Sequence, residues 1–285
     1  MNNERELIEL YLKVLKNSLT DFHRATQGEY KPIFSNINFD DVTMPSPVKK
    51  YLNGFNNFLA EEKYEICKYV KYHPALREQG RDWPNQAETM IGLKRLENIE
   101  YCVKNIISDN IEGDLIETGV WRGGAVIFMK AILKAFNVND KQVWVADSFE
   151  GLPPKNQQKY PADATDIHHM SQLLKISLED VKDNFRKYDL LDDKVKFLKG
   201  WFKDTLKTAP IGKLSLIRLD GDMYESTMDG FHALYHKLQP GGYLIVDDYG
   251  AIEACKKAVH DFRESKSITE EIHKIDWTGV YWRKK

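Results

Sequence analysis

The chain has 285 residues, with 41 Lys and Arg against 43 Asp and Glu and a formal net charge of -2. That length suits one large domain, or one domain with an extension, and the near balance of charge gives no global field that calls for nucleic acid or an anionic membrane, leaving a small or neutral partner as the default. No run reaches the ~18 apolar residues of a membrane span, and Cys67, Cys102 and Cys255, odd in number and outside any C-x-x-C spacing, read as reduced cytosolic thiols rather than a disulfide frame or a zinc site.

The first segment, MNNERELIELYLKVLKN, places Leu7, Ile8, Tyr11, Val14, Leu15 and Leu19 at three-to-four spacing. It predicts an amphipathic helix over 1–20 rather than a secretory leader, and its apolar face needs a partner. Residues 21–50 are rich in Pro, Asn and Asp and read as an ordered loop or an insertion. From Val48 to about Tyr72 aromatics recur at helical spacing, and HPALREQGRDWPNQ breaks the pattern before a helix from about Thr89 to Ile107. The chain thus divides into an N-terminal helical extension, 1–75, that covers the site or builds an oligomer interface, and a main domain, 76–285.

After Gly113 short apolar runs alternate with helical segments. Strands are predicted at 114–119, 142–147, 194–200, 214–220 and 242–248, with helices at about 123–136, 177–188, 225–238 and 251–265. Ser177 and Asp180 have capping-box spacing, and QPGG at 239–242 stops the helix before the fifth strand. Such alternation implies a parallel sheet with helices on both faces. The tail, SITEEIHKIDWTGVYWRKK, reads as an antiparallel hairpin at the sheet edge, making a mostly parallel, seven-stranded Rossmann-like sheet.

Ligands of such sheets bind at the carboxyl ends of the strands. Those ends carry Glu117, Thr118 and Gly119, then Asp147 and Ser148, Trp201 and Phe202, Asp220 and Asp222, and Asp247 with Asp248. In ETGVWRGGA the second glycine position of a dinucleotide fingerprint is Trp121, followed by Arg122. That bulk opposes a pyrophosphate and suits a nucleoside-like ligand without phosphates, while Asp147 is placed to accept two ribose hydroxyls. Together they favour S-adenosylmethionine over a nicotinamide dinucleotide; the bland reading is that the glycines only allow a tight turn. Trp201 and Phe202 either stack on an adenine or belong to the core.

Asp220 and Asp247 end successive strands, so if those strands are neighbours three carboxylates, with Asp248, converge within a few ångströms. Like charges so placed repel unless a cation neutralises them, and a hard divalent ion such as Mg²⁺ is the natural occupant. That ion could activate a hydroxyl of a diol, with a carboxylate taking the proton. Against this, Asp248 could cap a helix near Ile252 and Asp222 could start the turn into the helix at 225. His232 and His236 have zinc-pair spacing but no third ligand. His168 and His169 sit in a polar loop overhanging the site, and Trp83-Pro84 forms either a lid or packing.

Six motifs in order, GRDWPNQAETMIGLKRLENI, GDLIETGVWRGGAVIFMKAIL, VWVADSFEGLPP, FLKGWFKDTL, LIRLDGDMYESTMDGFHALYHKLQPGGYLIVDDYGA and IDWTGVYWRK, resemble the macrocin O-methyltransferase family over residues 75–285. The resemblance implies a class I methyltransferase fold, S-adenosylmethionine as donor, a divalent metal, usually Mg²⁺, and a deoxysugar hydroxyl of an antibiotic as acceptor. It places the metal on Asp220, Asp247 and Asp248, with Asp220 also proposed as the catalytic base. It places the donor on Thr89, Met90, Glu117, Thr118, Gly119, Trp121, Asp147, Ser148, Trp201 and Phe202, makes RDWP a wall of the active site, and implies self-association into a homo-oligomer. The competing readings are a catechol methyltransferase, a non-catalytic donor-binding protein and, more distantly, a dinucleotide oxidoreductase.

Overall fold

The apolar residues of the first segment fall into two adjacent stripes, and only one is buried. In a computed structural model, which describes residues 2–32, 46–64 and 66–285, helix α1 (Asn2–Leu19) turns Leu12, Leu15 and Leu19 into the main core, with Ile8 packed against it. Leu7, Leu10, Tyr11 and Val14 stay exposed. The single face expected from the spacing is therefore split, because successive residues are about 100° apart and a stripe this wide exceeds what one contact covers.

Between α1 and the main sheet lie β1 (Gly28–Pro32), α2 (Ser46–Glu61), β2 (Cys67–Lys71) and α3 (Pro74–Glu78). Strand β2 corrects the helical reading of 48–72: α2 stops at Glu61, and 67–71 pairs antiparallel with β1. Burial over 67–71 alternates with period two, and Tyr69 opposes Tyr30 at 5.3 Å between ring centroids, a cross-strand aromatic pair that favours the strand. Strand β1 likewise lies within the 21–50 stretch read as a loop, whose 33–45 portion is outside the described residues.

The rest follows the expected alternation: α4 (Gly92–Ser108), β3 (Asp114–Thr118), α5 (Gly124–Ala135), β4 (Val143–Asp147), α6 (Leu178–Lys187), β5 (Val195–Lys199), the one-turn α7 (Phe202–Thr205), β6 (Leu214–Leu219), α8 (Tyr224–Leu234), β7 (Leu238–Val246), α9 (Glu253–Ser265), β8 (His273–Lys274) and β9 (Val280–Arg283). The sheet runs β5-β4-β3-β6-β7-β9-β8, parallel through β7, with β9 antiparallel to β7 and β8 at the edge. Side chains alternate between faces. Leu115, Val143, Val145, Leu216 and Ile245 pack under α1, α4 and α5, while Ile116, Trp144, Ile217, Leu244 and Val246 pack with Phe231 and Phe262 of α8 and α9. The capping box at Ser177 forms: its Oγ accepts from Asp180 N–H at 3.2 Å, and Asp180 accepts from Ser177 N–H at 3.3 Å.

One boundary differs. Helix α8 ends at Leu234 and Leu238 already pairs with Leu214, so QPGG lies inside β7 rather than before it. The register shifts between Leu214 and Leu216 absorb the extra residues, and Pro240 is tolerated at this irregularity because it need not donate to a ladder.

Candidate active site

The chain leaves β3 for β4 and β5 on one side, then returns to β6 and β7 on the other. The carboxyl ends of β3 and β6 therefore flank the switch point at which open α/β sheets bind ligands. A cavity of about 650 Å³ opens there. Its walls include Thr89, Met90, Glu117, Gly119, Trp121, Asp147, Ser148, Trp201, Phe202, Asp220, Asp247 and Asp248. Thr118 is buried and does not line it; its carbonyl accepts Asp220 N–H at 2.9 Å.

The first turn is shaped by conformation as well as chemistry. Gly119 has φ +80°, and a Cβ there would collide with the carbonyl oxygen of Asp220, so only glycine lets the ends of β3 and β6 approach this closely. Trp121 is also left-handed, at φ +48°; its Nε1 donates to Leu173 O at 2.8 Å, and Arg122 stacks on its ring at 4.2 Å. Arg122 Nη1 donates to the carbonyls of Asn85 and Ala87, at 2.7 and 2.8 Å, and the amides of Glu88 and Thr89 donate to Leu19 O of α1. The end of α1 thus sets the position of Thr89 and Met90.

Asp147 accepts from Val120 N–H at 2.8 Å and Phe149 N–H at 2.7 Å, so both carboxylate oxygens already order the turns they face. Burial raises its pKa and these bonds oppose the rise. Glu117, buried in β3, is pushed up to about 8 by burial against the pull of Arg218, and its Oε2 has no hydrogen-bond partner among the described residues. Phe202 lines the cavity and also packs on the lower core, so stacking and packing are not exclusive for it.

The expected acidic convergence is present: ligand oxygens of Asp220, Asp247 and Asp248 lie within 4.8 Å of one another. Among the described residues no other His, Cys, Asp or Glu group gathers this way, and His232 instead packs edge-on to Phe262. Burial and neighbouring aspartates push Asp248 well up and Asp220 up to about 6, a conflict that a cation relieves. Three carboxylates are also the hard oxygen ligands a divalent ion takes, so these residues fit one. Asp248 does not cap α9 with its side chain; its Oδ2 accepts Asp222 N–H at 3.1 Å. Asp222, left-handed at φ +56°, turns the chain into α8 and lines the cavity.

Two arginines complete the cluster, and neither was picked out from the sequence. Arg218, 1% exposed, is the register partner of Glu117. Its Nη1 donates to Glu117 at 2.5 Å and Asp220 at 2.7 Å, and its Nη2 donates to Asp247. Arg95 of α4 donates to the other oxygen of Asp247, and its Nε lies 3.1 Å from Asp276. An arginine inside the apolar run LSLIRLD was a usable signal, since a buried charge must be paired; nothing comparable marks Arg95.

The polar loop does overhang the cavity. Asp163 accepts the N–H groups of Tyr224 and Glu225, fastening the loop to the start of α8, and Asp166 pairs with His168 and His169 at 2.7 and 2.9 Å. His168 and Trp83 line the cavity; His169 does not.

The family model for macrocin-O-methyltransferase (TylF) matches residues 8–284. The chain is 53% identical over 214 residues to the demethyldecarbamoylnovobiocin O-methyltransferase of Streptomyces niveus, covering 75% of this chain and 82% of that protein. It is 54% identical over 205 residues to the 8-demethyl-8-(2,3-dimethoxy-alpha-L-rhamnosyl)-tetracenomycin-C 4'-O-methyltransferase of Streptomyces olivaceus, covering 72% and 78%. The solved structure of the O-methyltransferase NovP superposes with a TM-score of 0.81 at 42% identity, over 98% of this chain and 99% of that one.

Proposed function

The chain belongs to the macrocin O-methyltransferase family, and from that premise we propose that this O-methyltransferase moves a methyl group from S-adenosylmethionine to a hydroxyl of a sugar on a glycosylated natural product, with Mg²⁺ or another divalent cation at the acidic cluster. The observation that carries the reading is the convergence of Asp220, Asp247 and Asp248 within 4.8 Å on the wall of a cavity at the switch point. The rhamnosyl acceptor in the name of the Streptomyces olivaceus relative supports the sugar.

The donor is assigned to Thr89, Met90, Glu117, Gly119, Trp121, Asp147, Ser148, Trp201 and Phe202, with Thr118 acting only through its backbone. Transfer forms a bond from the acceptor oxygen to the methyl carbon as the methyl–sulfur bond breaks, and the hydroxyl proton needs an acceptor. Asp220 takes it: its side chain is 25% exposed, against 6% for Asp247. Asp220, Asp247 and Asp248 would hold a divalent cation, which would supply Lewis acidity to ease loss of that proton. Arg218 and Arg95 fix Asp247 from both oxygens, so the cluster is ordered before substrates arrive.

The same reading makes the protein a cytoplasmic homo-oligomer without a nucleic-acid or membrane partner, in which residues 1–75 serve as lid or association segment to a methyltransferase domain over 76–285. Among the described residues no helix is long and apolar enough to cross a membrane.

Asp220→Asn and exhaustive chelation are each expected to lower methyl transfer to a vicinal-diol glycoside on the order of 100-fold or more, while donor affinity by calorimetry changes little. Full activity after metal removal overturns the cation. Transfer to catechols but to no glycoside overturns the sugar, and nicotinamide dinucleotide binding in preference to S-adenosylmethionine overturns the donor.

A further inference from the structure

The residues assigned to the donor come largely from the ends of β3, β4 and β5, and the three aspartates follow β6 and β7. Beyond β7 the sheet continues into β9 and β8, and the turn between those strands brings Trp277 to the cavity wall. The acceptor half of the cavity therefore lies between the aspartates and this turn.

Trp277 is held in place. Its Nε1 donates to Gln79 O at 2.8 Å, and the Arg81 guanidinium lies over its ring, 4.8 Å from the centroid. Its turn closes through Ile275 N–H to Gly279 O at 2.9 Å, and Asp276 Oδ1 accepts the amides of Thr278 and Gly279. That turn is tied to the aspartates twice: Thr278 Oγ1 donates to Asp247 O at 2.9 Å, and Asp276 and Asp247 share Arg95.

With its N–H committed to Gln79 and Arg81 over one ring face, the indole has its other apolar face to offer the cavity that it lines. A pyranose meets such a surface with one C–H face and leaves its hydroxyls at the rim, free to reach carboxylates. We propose that Trp277 is the platform on which the acceptor sugar lies, its ring held at a set distance from Asp220, Asp247 and Asp248 so that one hydroxyl is presented for methylation. The inference rests on the sugar reading above and adds the residue that selects for it.

The test compares Trp277→Phe with Trp277→Met. Both lose the indole N–H to Gln79, and only the second loses the ring. With a glycoside that the wild-type enzyme methylates, Trp277→Phe is expected to stay within roughly threefold of wild-type kcat/KM, and Trp277→Met to lose roughly tenfold, mostly in KM. S-adenosylmethionine affinity by calorimetry stays unchanged in both. Equal loss in the two variants overturns the platform in favour of anchoring through Gln79, and an unchanged KM in Trp277→Met overturns it outright. If Trp277→Met does not fold, glycoside quenching of tryptophan emission decides: the platform requires a quench in the wild type that falls in Trp277→Phe, and an undiminished quench overturns it. A wild-type enzyme that methylates no glycoside sinks the sugar reading and the platform together, an outcome the wild-type control separates from failure of the platform alone.

Discussion

Arg218 shows how much one side chain organises. Burial opposes its charge, but Asp247, Asp220 and Glu117 outweigh that and raise its pKa further. Removing it leaves Asp220 and Glu117 without their arginine partner and Asp247 with Arg95 alone. Breaking a buried ion cluster from one side typically costs about 3–5 kcal/mol, so Arg218→Met is expected to lower stability by that order, read from the urea midpoint at constant slope. Adding Glu117→Gln to Arg218→Met is expected to restore part of the loss by removing one orphaned carboxylate; no recovery would argue that Arg218 matters as packing rather than as counter-charge. At this scale Asp220, Asp247 and Asp248 were legible because each ends an apolar run on the ligand-binding side. Arg95, which holds the other oxygen of Asp247, was not, since it lies 152 residues away in the chain.

At the scale of elements, the loop between β4 and α6 is expected to change its order with pH. Hydrogen bonds from His168 and His169 outweigh burial and hold Asp166 below the usual carboxylate range, while the bond to Asp166, opposed by burial and aided by Asp222, raises His168. A depressed carboxyl stabilises above its unfolded value of ~3.9 and is lost as pH falls through the folded value; a raised imidazole stabilises below ~6.5 and is lost as pH climbs through its folded value. The loop is therefore held best between about pH 4 and 6.5. Amides of 166–170, corrected for intrinsic exchange, are expected to lose protection between pH 6 and pH 8.5, and Asp166→Asn to flatten that change; the same slope in the variant would assign it elsewhere. Lys155, which donates to the carbonyls of Ala164 and Asp166, holds the loop across this range. Element identity was legible where period and punctuation agreed, as at the Ser177 capping box. It failed at 67–71, where a helix and a strand both fit a short aromatic run and only pairing with 28–32 decides.

For the molecule as a whole, α1 joins two roles that its sequence presents as one stripe. Leu12 is fully buried in the main core, so Leu12→Ala is expected to cost about 2–5 kcal/mol of stability. Leu7, Leu10, Tyr11 and Val14 face outward, and under the homo-oligomer reading Leu7→Glu with Val14→Glu shifts the protein to a smaller species in sedimentation velocity with donor affinity retained; an unchanged sedimentation coefficient would remove α1 from any interface. The alternation of strands and helices from β3 onward, the edge hairpin and the acidic strand ends were readable from the residues alone, because these rest on local periodicity and on turn residues next to one another in the chain. Folding was needed to fix which stripe of α1 is buried, that β6 and β7 are neighbours, and that Arg218 and Arg95 hold the two oxygens of Asp247. Those outcomes depend on strand order and on contacts between residues far apart in sequence, where desolvation and charge pairing act only once the sheet has formed.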